Sequence, residues 1–198
     1  MPSPRLRALA VLLLGAIVLT GGAWLRGAEY DEQYTVFLLA GDARPVWPEG
    51  VFAAGDVRDH FHGAASLAGI AADLRRLDVH PPLYFWAVSG WRWIAGDTLF
   101  GLRLFSVLCG LGALATVGSI ARRVGVPAAL AMLLTLGCYA FAYTGGVARG
   151  FALAQLLALL GVRATLGRKQ GLGAGLLLGA ASFANYLAAF TAVPVLLF

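Results

Sequence analysis

Apolar runs recur along this chain at 8–25, 100–121, 127–145, 150–167 and 171–185, with a sixth opening near 188. Runs of about 18 residues or more are the signature of helices that cross a bilayer, whose core is roughly 30 Å thick. Composition agrees: 60% of the residues are hydrophobic and 13% charged, where soluble domains carry roughly 25% charge. The expectation is an all-α membrane protein built as a multi-helix transmembrane bundle. The net charge of +5 does not point to nucleic acid, because the basic residues sit scattered at the ends of the apolar runs. They read as determinants of orientation.

The acids are distributed quite differently. Glu29, Asp31, Glu32, Asp42, Glu49, Asp56, Asp59, Asp73 and Asp78 all lie between residues 26 and 80, leaving only Asp97 elsewhere. One long loop, 26–98, therefore holds every carboxylate of the chain. Arg5 and Arg7 before the first run place the N-terminus in the cytoplasm and this loop outside. Gly21-Gly22-Ala23 would also pass as a signal cleavage site, but the later spans favour an uncleaved anchor.

Within the loop, Tyr34, Phe37 and Leu38 follow helical spacing, as do Leu67, Ile70, Ala71, Leu74 and Leu77. These segments are short and amphipathic, which suits helices lying in the membrane interface. The stretch 81–95 is aromatic-rich, and 15 helical residues reach only about 22 Å. If it crossed, Arg122, Arg123, Arg163, Arg168 and Lys169 would face outward. Kept on the outer side, it lets all of them obey the positive-inside rule, and this arrangement is adopted. Gly110, Gly112, Gly118, Gly175 and Gly179 are expected at close helix contacts. Cys109 and Cys138 fall inside predicted spans, as buried reduced thiols. The chain ends within an apolar run, Val193 to Phe198, as the N-terminal part of a longer protein would.

Acids in an outer loop with cations at the same level suit a phosphate-bearing lipid: Arg or His would hold the phosphate while a carboxylate activates a nucleophile. Asp31, Glu32, His80, Arg103 and Arg149 qualify by level. His60 and His62, with Asp56 and Asp59 nearby, raise a metal site, although a lone His-x-His in a polar loop is more often solvated. No metal ligand set is assigned, and a divalent cation stays open as a cofactor.

Four elements occur together and in order: Asp31-Glu32 after the first span, His80-Pro81-Pro82-Leu83-Tyr84 closing the loop, Gly101-Leu102-Arg103-Leu104-Phe105-Ser106 opening the next span, and Ala148-Arg149-Gly150-Phe151-Ala152-Leu153 at an outer turn. This pattern resembles the GT-C polytopic membrane glycosyltransferases, which include protein O-mannosyltransferases, aminoarabinose transferases acting on lipid A, and many bacterial relatives. The resemblance implies a sugar donor on a polyprenyl phosphate and a glycan, lipid or protein acceptor. It implies inverting transfer at the extracytoplasmic face, with Asp31 as general base and Glu32 orienting it or binding acceptor. His80, Tyr84, Arg103 and Arg149 would bind the donor phosphate. Relatives often carry an acid or amide before the Ala-Arg pair, where this chain has Gly145-Gly146-Val147.

The alternative is a truncated, non-catalytic module that binds polyprenyl-phosphate lipid or scaffolds partners. A transporter would place ionisable residues mid-span, and the spans hold essentially none. The Ala, Gly, Leu and Arg content points to a GC-rich bacterial genome and hence to the cytoplasmic membrane.

Overall fold

The computed structural model describes residues 3–167 and 171–197. Arg168 and Lys169, two of the expected cytoplasmic charges, lie outside the described residues. Eleven α-helices and no strand are found among those described, so the all-α class holds.

Helix α1, Pro4–Leu25, starts on Ser3, whose hydroxyl accepts the Leu6 N–H. It exposes Leu13 and Ile17 at 59% and 71%, a face that is costly in water and neutral in lipid. Helix α2, Tyr30–Ala40, begins with Glu32 reaching back to accept the Glu29 N–H, and ends on Gly41 in the left-handed region. A glutamate three residues after the cap is an N-terminal helix signal. After a short helix α3 (Ala54–Arg58), α4 spans Leu67–Leu77 and is capped by Ser66. Helix α5, Leu83–Ala95, follows the rigid Pro81-Pro82 pair.

Helix α6, Leu99–Arg123, is capped by Thr98 and forms the central column. It packs against α1, against α7 (Ala128–Gly137) and against α9 (Phe151–Thr165). Helix α8 covers Tyr139–Thr144, and α10, Leu172–Ala184, lies along α9. A 3-10 turn over Tyr186–Ala188 leads into α11, Ala189–Leu197. One apolar core joins α1, α6, α7 and α8 around Leu19, Leu114 and Met132. The other joins the acidic loop to the bundle around Leu39, Ile70, Phe85 and Leu102.

Three expectations need correction. The run 127–145 is not one helix: it breaks at Cys138, which takes an extended conformation after Gly137. Cys138 is accordingly exposed, whereas Cys109 is buried; both are free thiols. Gly110, Gly112 and Gly118 do meet neighbours closely, but Gly175 and Gly179 face open space. The tight contact on α10 comes instead from Gly161 of α9, where an added Cβ would lie 2.7 Å from Leu178.

Only α1 and α6, at 22 and 25 residues, are long and apolar enough to cross a membrane among the described residues. Helices α7, α9 and α10 are apolar but have 10, 15 and 13 residues, short of the roughly 20 that a crossing takes. The bundle thus combines two full-length apolar helices with a set of shorter ones.

Candidate active site

The first turn of α2 carries two adjacent acids with opposite fates. Neighbours on a helix point about 100° apart, and here Asp31 is exposed while Glu32 is fully buried. Glu32 Oε1 accepts from Arg103 Nε at 2.8 Å and from the Ala148 N–H at 2.8 Å. Its Oε2 accepts from Arg103 Nη2 at 2.5 Å and from the Glu29 N–H at 3.1 Å. Burial pushes the Glu32 carboxyl up, but the bonds from Arg103, Ala148 and Glu29 outweigh it and hold the group below its ordinary value.

Arg103 is equally committed. Besides Glu32, its Nη1 donates to the carbonyls of Ala23 and Arg26, and its Nη2 to that of Gly27. With Nε included, all five guanidinium N–H groups are used. Expected at the donor phosphate, Arg103 instead ties the end of α1 to α2 and has no donor left over. Tyr84 does not line the pocket either: it is fully buried against Phe85 and Phe105. Its hydroxyl and that of Ser106 lack a well-aligned partner, and burial raises the Tyr84 pKa.

The segment Gly145–Gly150 is buried throughout and pinned from α2. The Ala148 N–H goes to Glu32, and the Ala148 carbonyl accepts from Thr35 Oγ1 at 2.8 Å. At Gly150 a Cβ would sit 2.5 Å from the Ala184 carbonyl, so only glycine lets the two backbones approach this closely. A Cβ on Gly145 would stand 2.9 Å from the end of the Leu19 side chain, whereas one on Gly146 would make only ordinary contact. At the other end of the α1–α2 connection, Glu29 accepts from the Tyr143 hydroxyl, and Arg26 lies 4.4 Å over the Tyr143 ring.

This pedestal aims Arg149. Its side chain is 4% exposed, with Nη1 donating to the Asp31 carbonyl at 3.3 Å. Nη2 lies 3.3 and 3.2 Å from the two ring nitrogens of His80. Asp31, His80 and Arg149 line one cavity of about 220 Å³, together with Tyr34, Arg44 and Asp78. The Asp31 carboxylate has no hydrogen-bond or ion-pair partner among the described residues, in contrast to Glu32.

Sequence reasoning missed two residues of this cavity. Asp78 Oδ1 accepts from His80 Nδ1 at 2.6 Å and from the Val79 N–H at 2.6 Å. Burial raises its pKa, but the His80 hydrogen bond and charge, the Val79 bond and the Arg149 charge bring it below the ordinary carboxylate value. The Asp-x-His spacing was the available signal. Arg44 donates to the Leu77 carbonyl at 2.9 Å; nothing local in the sequence foretold that its loop folds back to the cavity. The loop is stitched down by Arg92, which donates to the carbonyls of Leu39 and Gly63 and to Asp97.

The two histidines of the His-x-His stretch are not gathered with the nearby acids into one cluster. His60 Nδ1 pairs with Asp42 at 2.5 Å, Asp56 accepts the Ala53 N–H, and His62 is exposed. No group of three or more metal-ligating side chains occurs among the described residues.

The family model for dolichyl-phosphate-mannose-protein mannosyltransferase matches residues 79–198, more than half of the chain. The chain belongs to that family. The match includes His80, Arg103 and Arg149 and stops short of Asp31 and Glu32, which reach the matched part only through tertiary contacts. No curated protein and no solved structure gives a significant match. Family membership supplies the general activity class, a membrane-associated mannosyltransferase-like glycosyltransferase working with a lipid-linked sugar.

Proposed function

We propose that the cavity transfers a sugar from a polyprenyl-phosphate donor to an acceptor hydroxyl at the extracytoplasmic face, in a multi-pass protein of the bacterial cytoplasmic membrane. The observation that carries this reading is the shared wall of Asp31, His80 and Arg149. A free, exposed carboxylate stands beside a guanidinium and an imidazole, which supports a base on one side and an anion holder on the other. Asp31 takes the proton of the acceptor hydroxyl as its oxygen attacks the anomeric carbon. The carbon–oxygen bond to phosphate breaks on the opposite face, so configuration inverts. The departing electron pair stays on the phosphate, whose charge Arg149 neutralises from its place beside His80. Glu32 and Arg103 serve this chemistry as scaffold, fixing the α2 turn that presents Asp31 and the backbone that presents Arg149.

The test is turnover of a radiolabelled polyprenyl-phosphate hexose by the chain in proteoliposomes, with Asp31→Asn as the comparison. Loss of a base contributes about 10²–10⁴-fold, so the variant should insert normally and transfer at about a hundredth of the wild-type rate or less. Wild-type turnover by Asp31→Asn would remove the base assignment. Lipid binding without any turnover by the wild-type chain would favour the non-catalytic module.

A further inference from the structure

Asp78 and His80 form the partition between two cavities. On one side lies the polar cavity of Asp31, Arg44 and Arg149; on the other is a space of about 440 Å³ walled by Leu74, Pro81, Pro82, Trp86 and Phe183, with Arg75. The backbone around this partition has little freedom. Helix α4 closes just before it, with the Asp78 N–H donated to the Leu74 carbonyl. His80 precedes Pro81, and a residue before proline is held in extended conformations. Asp78 Oδ1 also accepts the backbone N–H groups of Val79 and His80, at 2.6 and 3.3 Å. What remains free is the flip of the imidazole ring, which would exchange a nitrogen for a carbon at each edge.

We propose that Asp78 is a positioning residue that holds the His80 ring through a proton on Nδ1, so that the imidazole stands against Arg149 and fixes where the guanidinium stands in the cavity. An ionised carboxylate accepts and never donates. The 2.6 Å contact between Asp78 Oδ1 and His80 Nδ1 therefore requires the proton on Nδ1. Arg149 Nη2 stands 3.3 and 3.2 Å from Nδ1 and Nε2, against the ring rather than on one nitrogen. Arg149 also approaches Nδ1 but carries no acceptor, so Asp78 is the acceptor in contact with Nδ1 among the described residues. Tyr186 contributes its ring, 5.8 Å from the imidazole, while Arg44 and Asp31 stand on the cavity walls. With Nη2 held by His80 and Nη1 by the Asp31 carbonyl, the fork of Arg149 has both tips located before any anion enters. This assignment deepens the transferase reading and, for its kinetic consequence, rests on it.

The chain has three histidines, so ¹⁵N-histidine labelling in detergent micelles gives few ring signals, and His80 is identified by its loss in His80→Gln. The wild-type ring should show a protonated Nδ1. Asp78→Ala should populate the Nε2–H form. Asp78→Asn keeps a side-chain oxygen that accepts from Nδ1–H and should retain most of the wild-type tautomer. In the turnover assay, Asp78→Ala should raise the donor KM about tenfold, the loss of about one net hydrogen bond to a charged group, with a smaller effect on kcat. Asp78→Asn should recover most of it. A wild-type Nε2–H ring, or a tautomer unmoved by Asp78→Ala, overturns the assignment. The expected ring signals in a chain that turns over no donor uphold the positioning role and count against the transferase reading alone.

Discussion

Glu32 and Arg103 close on each other in the interior, Nε to Oε1 at 2.8 Å and Nη2 to Oε2 at 2.5 Å, with side chains 0% and 3% exposed. The pair joins the α1 exit, the α2 turn and the Ala148 backbone in one polar knot. Removing one member of a buried, hydrogen-bonded pair strands the other charge and costs about 3–5 kcal/mol. Glu32→Gln and Arg103→Met are each expected to lower the unfolding midpoint in detergent accordingly. The double variant Glu32→Gln/Arg103→Met should lose less than the sum of the singles. Additive losses would contradict a coupled pair.

The same knot sets an acid limit. Glu32 has a folded pKa below its ordinary 4.5, so the native state holds its proton less tightly than the unfolded chain. Its contribution is then fully present above about pH 4.5 and is lost as pH falls through the lower folded value. Thermal stability measured from pH 7 to pH 3 should drop on the acid side in wild type. The Glu32→Gln profile should be lower throughout and flatter over that window. Parallel profiles would show that other carboxylates set the limit.

Two glycine classes should separate by measurement. Gly175 and Gly179 have nothing within 4 Å of an added Cβ, while at Gly161 that atom would meet Leu178 side-chain atoms at 2.7 and 2.8 Å. Alanine in an unobstructed helix interior gains roughly 0.5–1 kcal/mol over glycine. Gly175→Ala and Gly179→Ala are expected to raise the unfolding midpoint, and Gly161→Ala to lower it by prising α9 from α10. Destabilisation by Gly175→Ala would mean that a partner packs against that face.

Arg149→Lys keeps the charge and loses the fork. An ammonium at that position cannot reach the Asp31 carbonyl and His80 together as the guanidinium does. The donor KM is expected to rise about tenfold, and more in Arg149→Met, with membrane insertion unchanged, since one charge-assisted hydrogen bond is worth about 1.5–3 kcal/mol. Equal KM values for wild type and Arg149→Lys would show that charge alone suffices there.

Much of the framework was legible from local pattern. Helical spacing marked Leu67 to Leu77, and the structure gives a helix with those bounds; Tyr34, Phe37 and Leu38 likewise lie in α2. The cavity was legible in part: Asp31, His80 and Arg149 were picked by level in the membrane and do share it. What escaped was relational. Whether an arginine is free or spent depends on partners far away in the chain, and Arg103 meets Glu32 across 71 positions. Glu32 was expected to orient Asp31 or bind acceptor, because the sequence does not show that its carboxylate is spent on Arg103 and Ala148. The break at Cys138 was hidden inside an unbroken apolar run, since hydropathy reports burial and not backbone direction.

The pinned segment at Ala148 also imposes an order on biogenesis. Glu32 leaves the ribosome 71 residues before Arg103 and 116 before Ala148. Until Arg103 is made, the Glu32 carboxylate has only the Glu29 N–H of its own turn, and its anchor at Ala148 comes later still. Asp31 and Arg149 likewise stand 118 positions apart in the chain. They meet only after α8 has been made, so the cavity cannot form before residue 149 is in place. A nascent chain arrested between residues 104 and 147 would hold the Glu32–Arg103 pair without the backbone that presents Arg149.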